Sequence, residues 1–312
     1  MPNGVEDRTI VQPVRRRTFF KLAGTLVAAP AAATVPQSAD LQEHELHLEG
    51  EPALARRALL LVPRKPARAG KLPLVVLLHG LGETGHEQLG LRAWADRYGL
   101  IRAYERLCHP PLARTLPTQP YLSDERLREL NGELARRPFG SLAIVCPVTP
   151  NPHRPGPAAR TLDRYAAWLA DVLLPAVRAR VPIADGPNGI GLDGCSLGGY
   201  VGLEVFLRRP ELFGTFGSVQ GAFGLAGARR YAERIAEVVE RVGPRRIHLE
   251  TSSQDPYRRP NEALARHLES LGVPNTLLVG LGPHDQPWLR EVGTLEMLLW
   301  HQRQLAEKAS RP

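Results

Sequence analysis

The sequence is poor in cysteine, methionine, lysine and aromatic side chains. Its 312 residues include three cysteines and two methionines, only 6% are aromatic, and four of the 40 basic residues are lysine. Three cysteines are too few for a disulfide framework, and their spacing is not that of a metal site. No apolar run reaches the 18 residues that a membrane-spanning helix needs, so we expect no stable span. Nothing in the sequence implies a metal ion or an organic cofactor.

Composition otherwise resembles that of a globular protein. Hydrophobic residues make up 43% of the chain and charged residues 23%, and the 29 glycines and 29 prolines stay below low-complexity levels. The formal charge of +8 raises the question of a nucleic-acid partner. However, the arginines are scattered among acidic residues, and there is neither a basic stripe nor an aromatic platform. We therefore expect no nucleic-acid binding.

The basic residues that are scattered elsewhere form a cluster near the N-terminus. Residues 15–21 read Arg-Arg-Arg-Thr-Phe-Phe-Lys, and an alanine-rich apolar stretch follows as far as Ala33. This pattern predicts a secretory signal peptide over residues 1–33, with an A-x-A cleavage site at 31–33. Its Arg-Arg-x-Phe-Phe-Lys core resembles the twin-arginine signal, which implies the twin-arginine export machinery as a partner and a periplasmic or secreted protein. A basic disordered tail or a signal anchor are the alternatives.

After the signal, short apolar runs alternate with longer stretches of helical period. This alternation predicts an α/β fold with a mostly parallel central sheet and helices on both faces. Without an internal repeat or a flexible linker, residues 41–307 are expected to form one domain. The predicted strands are 44–48, 58–62, 72–78, 142–148, 190–192, 216–219, 247–251 and 276–279. The predicted helices are 88–107, 123–136, 159–180, 197–208, 228–242, 261–271 and 288–306.

Residues 108–140 interrupt the alternation, because four prolines between 110 and 120 precede a polar helix. An insertion of this length is either surface decoration or a lid over a site. Two of the cysteines flank it, and a Cys108–Cys146 disulfide is compatible with an oxidising compartment. Buried free thiols are the alternative for all three cysteines.

Residues 194–199 read Gly-Cys-Ser-Leu-Gly-Gly and fit the G-x-S-x-G pattern. The pattern follows a strand and precedes an amphipathic helix, which is the context of a nucleophile elbow. Such a turn exposes the hydroxyl of Ser196 at a helix N-terminus, where the N–H of Leu197 can stabilise an oxyanion. The glycines that allow the sharp turn are Gly194, Gly198 and Gly199.

A second oxyanion donor is expected after the strand that ends in His79-Gly80. The N–H of Leu81 is the candidate, because Gly80 allows the backbone to turn towards the site. His79 itself is interpreted as a structural residue that hydrogen-bonds this loop.

An acid and a histidine are expected to follow the serine, each on a loop after a later strand. Asp255 and His284 satisfy both the order and the position. Asp285 and Glu250 are alternative acids. The other histidines considered lie in predicted strands or helices and are interpreted as structural or solvated: His248, His267 and His301.

Residues 43–305 resemble the esterase-D-like "putative esterase" branch of the α/β hydrolases. The resemblance lies in Leu-Leu-His-Gly-Leu-Gly (77–82), Gly-Cys-Ser-Leu-Gly-Gly-Tyr (194–200), the Asp255-Pro256 turn and Gly-Pro-His-Asp-Gln-Pro-Trp (282–288). It implies the α/β-hydrolase fold and a catalytic triad of Ser196, Asp255 and His284. Asp193 departs from the family pattern, because an apolar residue is more usual at that strand position.

The sequence therefore predicts an exported serine esterase that hydrolyses a carboxylic ester, either small or polymer-linked, through an acyl-enzyme. An acyltransferase of the mycolyltransferase type would use the same three residues with an alcohol in place of water. A non-catalytic binding protein on the same fold is the third alternative.

Overall fold

A computed structural model of the chain describes residues 38–66, 70–154 and 157–309. The signal peptide expected at residues 1–33 lies outside the described residues.

An eight-stranded sheet in the order β1-β2-β4-β3-β5-β6-β7-β8 forms the centre of the described chain. Strand β2 runs antiparallel to both of its neighbours, β1 and β4, and all other neighbouring pairs are parallel. The strands are β1 (Leu41–His47), β2 (Arg57–Pro63), β3 (Leu74–Leu78), β4 (Ala143–Pro147), β5 (Ile190–Gly194), β6 (Thr215–Val219), β7 (Arg246–Ser252) and β8 (Asn275–Gly280). The prediction of a mostly parallel sheet is confirmed.

Ten helices accompany these strands in the described residues. They are α1 (Glu87–Arg92), α2 (Leu100–Cys108), α3 (Asp124–Arg136), α4 (Ala158–Trp168), α5 (Leu174–Arg178), α6 (Leu197–Arg208), α7 (Ala228–Val242), α8 (Arg258–Ser270), α9 (Gln286–Trp288) and α10 (Thr294–Ala309). Single π-helical turns join α4 to α5 and α9 to α10. None of the helices among the described residues is long and apolar enough to cross a membrane.

The helix predicted over residues 88–107 is in fact two helices. A π-helical turn (Ala93–Arg97) follows α1, and the chain then passes through Gly99 in the left-handed region, with φ of 72°. A residue in this conformation ends a helix, and glycine adopts it at little cost. Helical periodicity continues across the break because both helices bury their apolar faces against the same side of the sheet.

The sheet separates two apolar layers, and β3 contributes to both. Leu74, Val76 and Leu78 face the layer that contains helices α4 to α8, whereas Val75 and Leu77 face the layer that contains α1, α2, α3 and α10. All five β3 side chains are fully buried. A strand covered on both faces explains why this segment is a continuous apolar run rather than an alternating one.

Parallel strands place all their carboxyl ends at one edge of the sheet. The loops after β3, β5, β6, β7 and β8 therefore meet at this edge. Ligands in open α/β sheets bind beyond the carboxyl ends of the strands, so this edge is where a site is expected.

Candidate active site

The turn between β5 and α6 has the strained backbone that a nucleophile elbow requires. Ser196 has φ of 54° and ψ of −116°, outside the regions that residues with a side chain normally occupy. Its N–H donates to Val219 O (3.0 Å), and its carbonyl accepts from the Ala222 N–H (2.9 Å). Strain of this kind persists only where surrounding contacts fix it, and it clusters at functional sites.

Close backbone contacts explain the glycines of the motif. A Cβ on Gly198 would lie 2.1 Å from Leu78 O, and one on Gly194 would lie 2.3 Å from Gly198 O. Gly199 is equally restricted, because its Cβ would lie 2.4 Å from Ser218 Oγ. The predicted need for these three glycines therefore has a direct steric reason.

Asp255 and His284, predicted on separate loops, are in contact. His284 Nδ1 lies 2.8 Å from Asp255 Oδ1. The Asp255 side chain is fully buried, and it also accepts hydrogen bonds from Thr251 Oγ1 (2.6 Å) and the Tyr257 N–H (2.9 Å). These donors fix the orientation of the carboxylate, so it can hold the imidazole with its proton on Nδ1 and leave Nε2 free to accept one.

The alternative acids have other roles in the structure. Asp285 accepts the N–H of Trp288 (2.8 Å) and so caps the short helix α9. Glu250 is fully buried within β7, and neither carboxyl oxygen has a hydrogen-bond partner among the described residues. Asp255 is thus the acid that contacts His284.

The loop that carries His284 lies between β8 and α9 and is called the histidine loop. A residue that the sequence motifs did not indicate holds it in place. Gln220 follows β6 with a positive φ of 51°, and its Nε2 donates to Pro283 O (2.9 Å) and to Ser252 Oγ (2.7 Å). Ser252 Oγ donates to the same Pro283 carbonyl (3.1 Å). The residue before His284 is therefore tied to the ends of β6 and β7. A polar residue directly after a buried central strand was the only signal for Gln220 in the sequence.

Leu81 and Leu197, the expected sources of oxyanion donors, both begin helical turns. Leu197 is the first residue of α6, and Leu81 is the first residue of a 3₁₀ turn (Leu81–Glu83). The first N–H groups of a helix have no intrahelical acceptor, which leaves them available to a ligand. Both residues border the same cavity as Ser196.

His79 holds the loop that carries Leu81. The ring is fully buried, and its Nε2 accepts the N–H of Thr149 (2.9 Å). Its proton is therefore on Nδ1, which donates to Gly80 O (2.9 Å). Burial lowers the pKa of His79 to about 4, so the ring stays neutral. This geometry agrees with the structural role expected for His79.

A cavity of about 520 Å³ lies over the elbow. Besides Ser196 and the two leucines, its lining consists mainly of aromatic and polar side chains, including Tyr200, Tyr257 and Asn151. The ring of Tyr257 also packs edge-on against His284, with centroids 5.6 Å apart. Within the described residues, the Ser196 hydroxyl makes no hydrogen bond, to His284 or to any other group. Hydrogen bonds between a catalytic serine and its histidine often shorten only when substrate binds.

The 108–140 segment packs against the last helix rather than around the cavity. Arg126 forms a bidentate pair with Glu296 (2.7 and 2.8 Å), and Arg303 pairs with Glu133 (2.8 Å). None of the described residues that border the cavity belongs to this segment. It approaches the site through Tyr121, because a Cβ on Gly282, two residues before His284, would lie 2.8 Å from Tyr121 Cδ1.

The three cysteines are free thiols, so the structure has no Cys108–Cys146 disulfide. Burial raises the pKa of Cys195 to about 12, and this thiol therefore stays protonated beside Ser196 at neutral pH. Among the described residues, no group of three or more His, Cys, Asp or Glu side chains is placed to hold a metal ion.

Comparison with known proteins identifies the fold. No family model matches the chain. One curated relative, the uncharacterized protein YbbA of Bacillus subtilis (strain 168), is 26% identical over an alignment of 126 residues that covers 37% of this chain and 48% of YbbA. The alignment thus spans about half the length of that relative.

Solved structures cover far more of the chain. S-formylglutathione hydrolase (FrmB) of Staphylococcus aureus superposes with a TM-score of 0.56 at 15% identity, over 86% of this chain and 100% of that one. A ferulic acid esterase gives 0.59 at 15% identity over 85% and 99%. The enterobactin esterase FES of Shigella flexneri gives 0.52 at 19% identity over 86% and 62%. The chain therefore has the α/β-hydrolase fold, as predicted.

Proposed function

We propose that the protein is a carboxylic ester hydrolase that acts through Ser196, His284 and Asp255. The observation that carries the proposal is the His284–Asp255 hydrogen bond at the sheet edge that also carries the strained Ser196 elbow. Similarity to structures named as esterases and hydrolases supports the same reaction class.

The reaction follows from the arrangement of these groups. Ser196 Oγ attacks the ester carbonyl carbon while His284 Nε2 takes its proton, and the N–H groups of Leu81 and Leu197 stabilise the oxyanion. When the tetrahedral intermediate collapses, His284 returns the proton to the departing alcohol and an acyl-serine remains. Water then attacks the acyl carbon with His284 again as base, which releases the acid and restores Ser196.

Replacing the serine tests the proposal. Ser196→Ala is expected to lower kcat on a short-chain p-nitrophenyl ester by several orders of magnitude, because the acyl-enzyme can no longer form. A fluorophosphonate is expected to label Ser196 in the wild-type protein and not in the variant. Ser270→Ala, which changes an exposed serine in α8, serves as the control and should keep full activity. Folded wild-type protein that is neither active nor labelled would rule the proposal out.

A separate experiment is needed to identify the substrate. A screen should include ferulic acid esters, S-formylglutathione and enterobactin, which are the compounds in the names of the similar structures. Product analysis with and without an alcohol acceptor distinguishes hydrolysis from acyl transfer, since only transfer gives a new ester.

We also propose that the protein is exported by the twin-arginine route to the periplasm or the medium. The support is the basic and apolar pattern of residues 15–33. A reporter fused to residues 1–40 should be exported, and Arg16→Lys together with Arg17→Lys should prevent it. Export that survives both changes would contradict the twin-arginine route.

A further inference from the structure

A buried tyrosine holds the loop that carries the second oxyanion donor. Tyr98 lies between α1 and α2 and is 3% exposed. Its oxygen accepts the N–H of Gly80 (3.1 Å), and its ring packs edge-on against Trp94 with centroids 5.1 Å apart. Trp94 fixes the position of the ring, so the Tyr98 oxygen is a fixed acceptor for the loop.

Glu83 determines the direction of the phenol proton. The Glu83 carboxyl group is buried and pairs with Arg97 (3.1 Å), and it accepts the hydroxyl proton of Tyr98. A carboxylate can only accept, whereas a phenol has a single proton to donate. Because that proton goes to Glu83, the oxygen of Tyr98 is left as an acceptor for Gly80. Burial raises the pKa of Tyr98 far above its ordinary value, with the nearby Cys195 and Glu83 adding to the effect, so the phenol stays neutral.

Two different side chains thus bind the backbone N–H and the backbone carbonyl of Gly80. Tyr98 binds the N–H, and His79 Nδ1 binds the carbonyl (2.9 Å). That carbonyl belongs to the same planar peptide as the N–H of Leu81, so its direction fixes the direction of the donor. The Leu81 side chain is 54% exposed and contributes little packing that could orient the loop instead.

Contacts from Tyr98, Glu83 and Arg97 extend to the other two loops of the candidate site, the elbow and the loop that carries His284. Tyr98 lies against the Cys195 thiol, next to Ser196 in the elbow. Gln286, two residues after His284, contacts the Arg97–Glu83 pair in either orientation of its amide. Its Nε2 donates to Glu83 Oε1 (3.4 Å), or its oxygen accepts from Arg97 Nε and Nη2 (3.0 Å each).

We propose that Tyr98 is a positioning residue for the oxyanion hole, with Glu83 as the group that sets its hydrogen-bond direction. This inference rests on the proposed function. Tyr98 touches no reacting atom. Its effect passes from the His79–Gly80 peptide, whose N–H it binds, to the adjoining Gly80–Leu81 peptide, whose carbonyl His79 binds. Without the phenol oxygen, the Gly80 N–H loses its acceptor, and the contact with His79 is left alone to stop rotation at Gly80 from turning the Leu81 N–H away from the oxyanion.

Tyr98→Phe is the direct test, and α2 offers a matched control. Tyr104 is 2% exposed, and its hydroxyl also accepts one backbone N–H, that of Leu142 (3.3 Å). Tyr104→Phe therefore removes the same kind of buried bond at a position outside the candidate site. Tyr98→Phe also removes the hydroxyl that donates to the buried Glu83 carboxylate, so it should lose more thermal stability than Tyr104→Phe. Activity is therefore compared at a temperature at which both variants remain folded, where a difference in kcat reflects the position of the tyrosine.

The expected result is a selective loss of kcat. Removing an oxyanion donor costs about 10²- to 10³-fold in kcat, and a misplaced donor retains part of that effect. Tyr98→Phe should therefore lower kcat by about 10- to 100-fold and change KM by less than about threefold. Fluorophosphonate labelling of Ser196 should slow in parallel. Amide hydrogen exchange, measured by mass spectrometry on a peptide that covers residues 79–84, should be faster than in the wild type and in Tyr104→Phe.

A second variant keeps the ring in place. Glu83→Gln leaves Tyr98 but replaces an obligate acceptor with an amide that can also donate, so kcat should fall in the same direction by a smaller factor. If Tyr98→Phe and Tyr104→Phe have equal kcat, or if exchange over residues 79–84 is unchanged, Tyr98 does not position the loop. An inert and unlabelled wild-type protein would instead overturn the proposed function together with this inference.

Discussion

Two buried glutamates should have opposite effects on stability as the pH changes. Glu250 in β7 is fully buried, and both of its oxygens lack a partner among the described residues. Burial raises its pKa well above the ordinary value, the charges of Glu296 and Asp193 add to this, and Arg126 opposes it. The folded protein therefore keeps Glu250 protonated at pH values where the unfolded chain has already released the proton.

The magnitude follows from proton linkage. Above the unfolded pKa of about 4.3 and below the folded pKa, unfolding releases one proton from this site, so the free energy of unfolding falls by about 1.4 kcal/mol per pH unit. The stabilising contribution of protonated Glu250 is complete below the unfolded pKa and is lost as the pH rises towards the folded pKa. Glu250→Gln cannot ionise and should lack this slope.

Glu204 in α6 provides the matched control. Burial opposes its ionisation, but hydrogen bonds from Tyr231 and Arg208 and the charge of Arg234 outweigh burial and hold its pKa below the ordinary value. Its contribution is therefore complete above the unfolded pKa and is lost as the pH falls through the folded pKa. Glu204→Gln should cost about 1–3 kcal/mol at every pH from 5 to 8, and the cost should shrink below pH 4.

Urea unfolding of the wild type and both variants at several pH values between 3 and 8 measures these differences. The stability of Glu250→Gln relative to the wild type should rise above pH 5 by about 1.4 kcal/mol per unit until the pH reaches the folded pKa, where the difference levels off. The difference for Glu204→Gln should stay flat over the same range. A flat difference for Glu250→Gln would mean that its carboxyl group ionises in the folded state as it does in the unfolded chain, so that the burial of its unpartnered oxygens does not raise its pKa.

Two further predictions concern the hydrogen bonds between a histidine and a buried aspartate. Asp255→Asn should lower kcat by about 10³- to 10⁴-fold, because an amide does not hold the proton on His284 Nδ1; ester kinetics check this, and a loss below tenfold, or an equal loss in Asp285→Asn, would contradict it. His301→Leu should cost about 3 kcal/mol in urea unfolding, because it removes the donor 2.9 Å from a fully buried Asp193 carboxyl oxygen; a cost below about 1 kcal/mol would show that the contact contributes little.

The fold could be predicted largely because its signals are local. A strand such as β3, with all five side chains buried, reads as an apolar run whatever lies beside it. The break between α1 and α2 was missed because Gly99 lies within a continuous helical period, and its left-handed conformation depends on how the two helices pack. The packing of the 108–140 segment was equally inaccessible, since Arg126 and Glu296 are 170 residues apart.

The candidate site likewise has parts that the sequence predicts and parts that it does not. The Ser196 elbow is local, so six consecutive residues predict its geometry. The Asp255–His284 contact followed from chain order, because loops after neighbouring parallel strands must meet. Gln220 and Tyr98 could not be found in this way, because each acts through one backbone group of a distant segment and has no neighbours of its own that form a motif.

Asp193 shows how a departure from pattern can be explained by a residue far along the chain. Burial raises its pKa, and the hydrogen bond from His301 Nε2 counteracts this, while its other oxygen accepts the N–H of Gly194 (2.6 Å) at the start of the elbow. His301 is oriented in turn by Thr215 Oγ1 (3.0 Å). A Cβ on Gly217 would lie 1.8 Å from Asp193 Oδ2, so the neighbouring strand must be bare at this point. The acid, the histidine and the glycine therefore form one unit beneath the elbow, and an apolar residue at position 193 would leave the buried His301 Nε2 without its carboxylate partner.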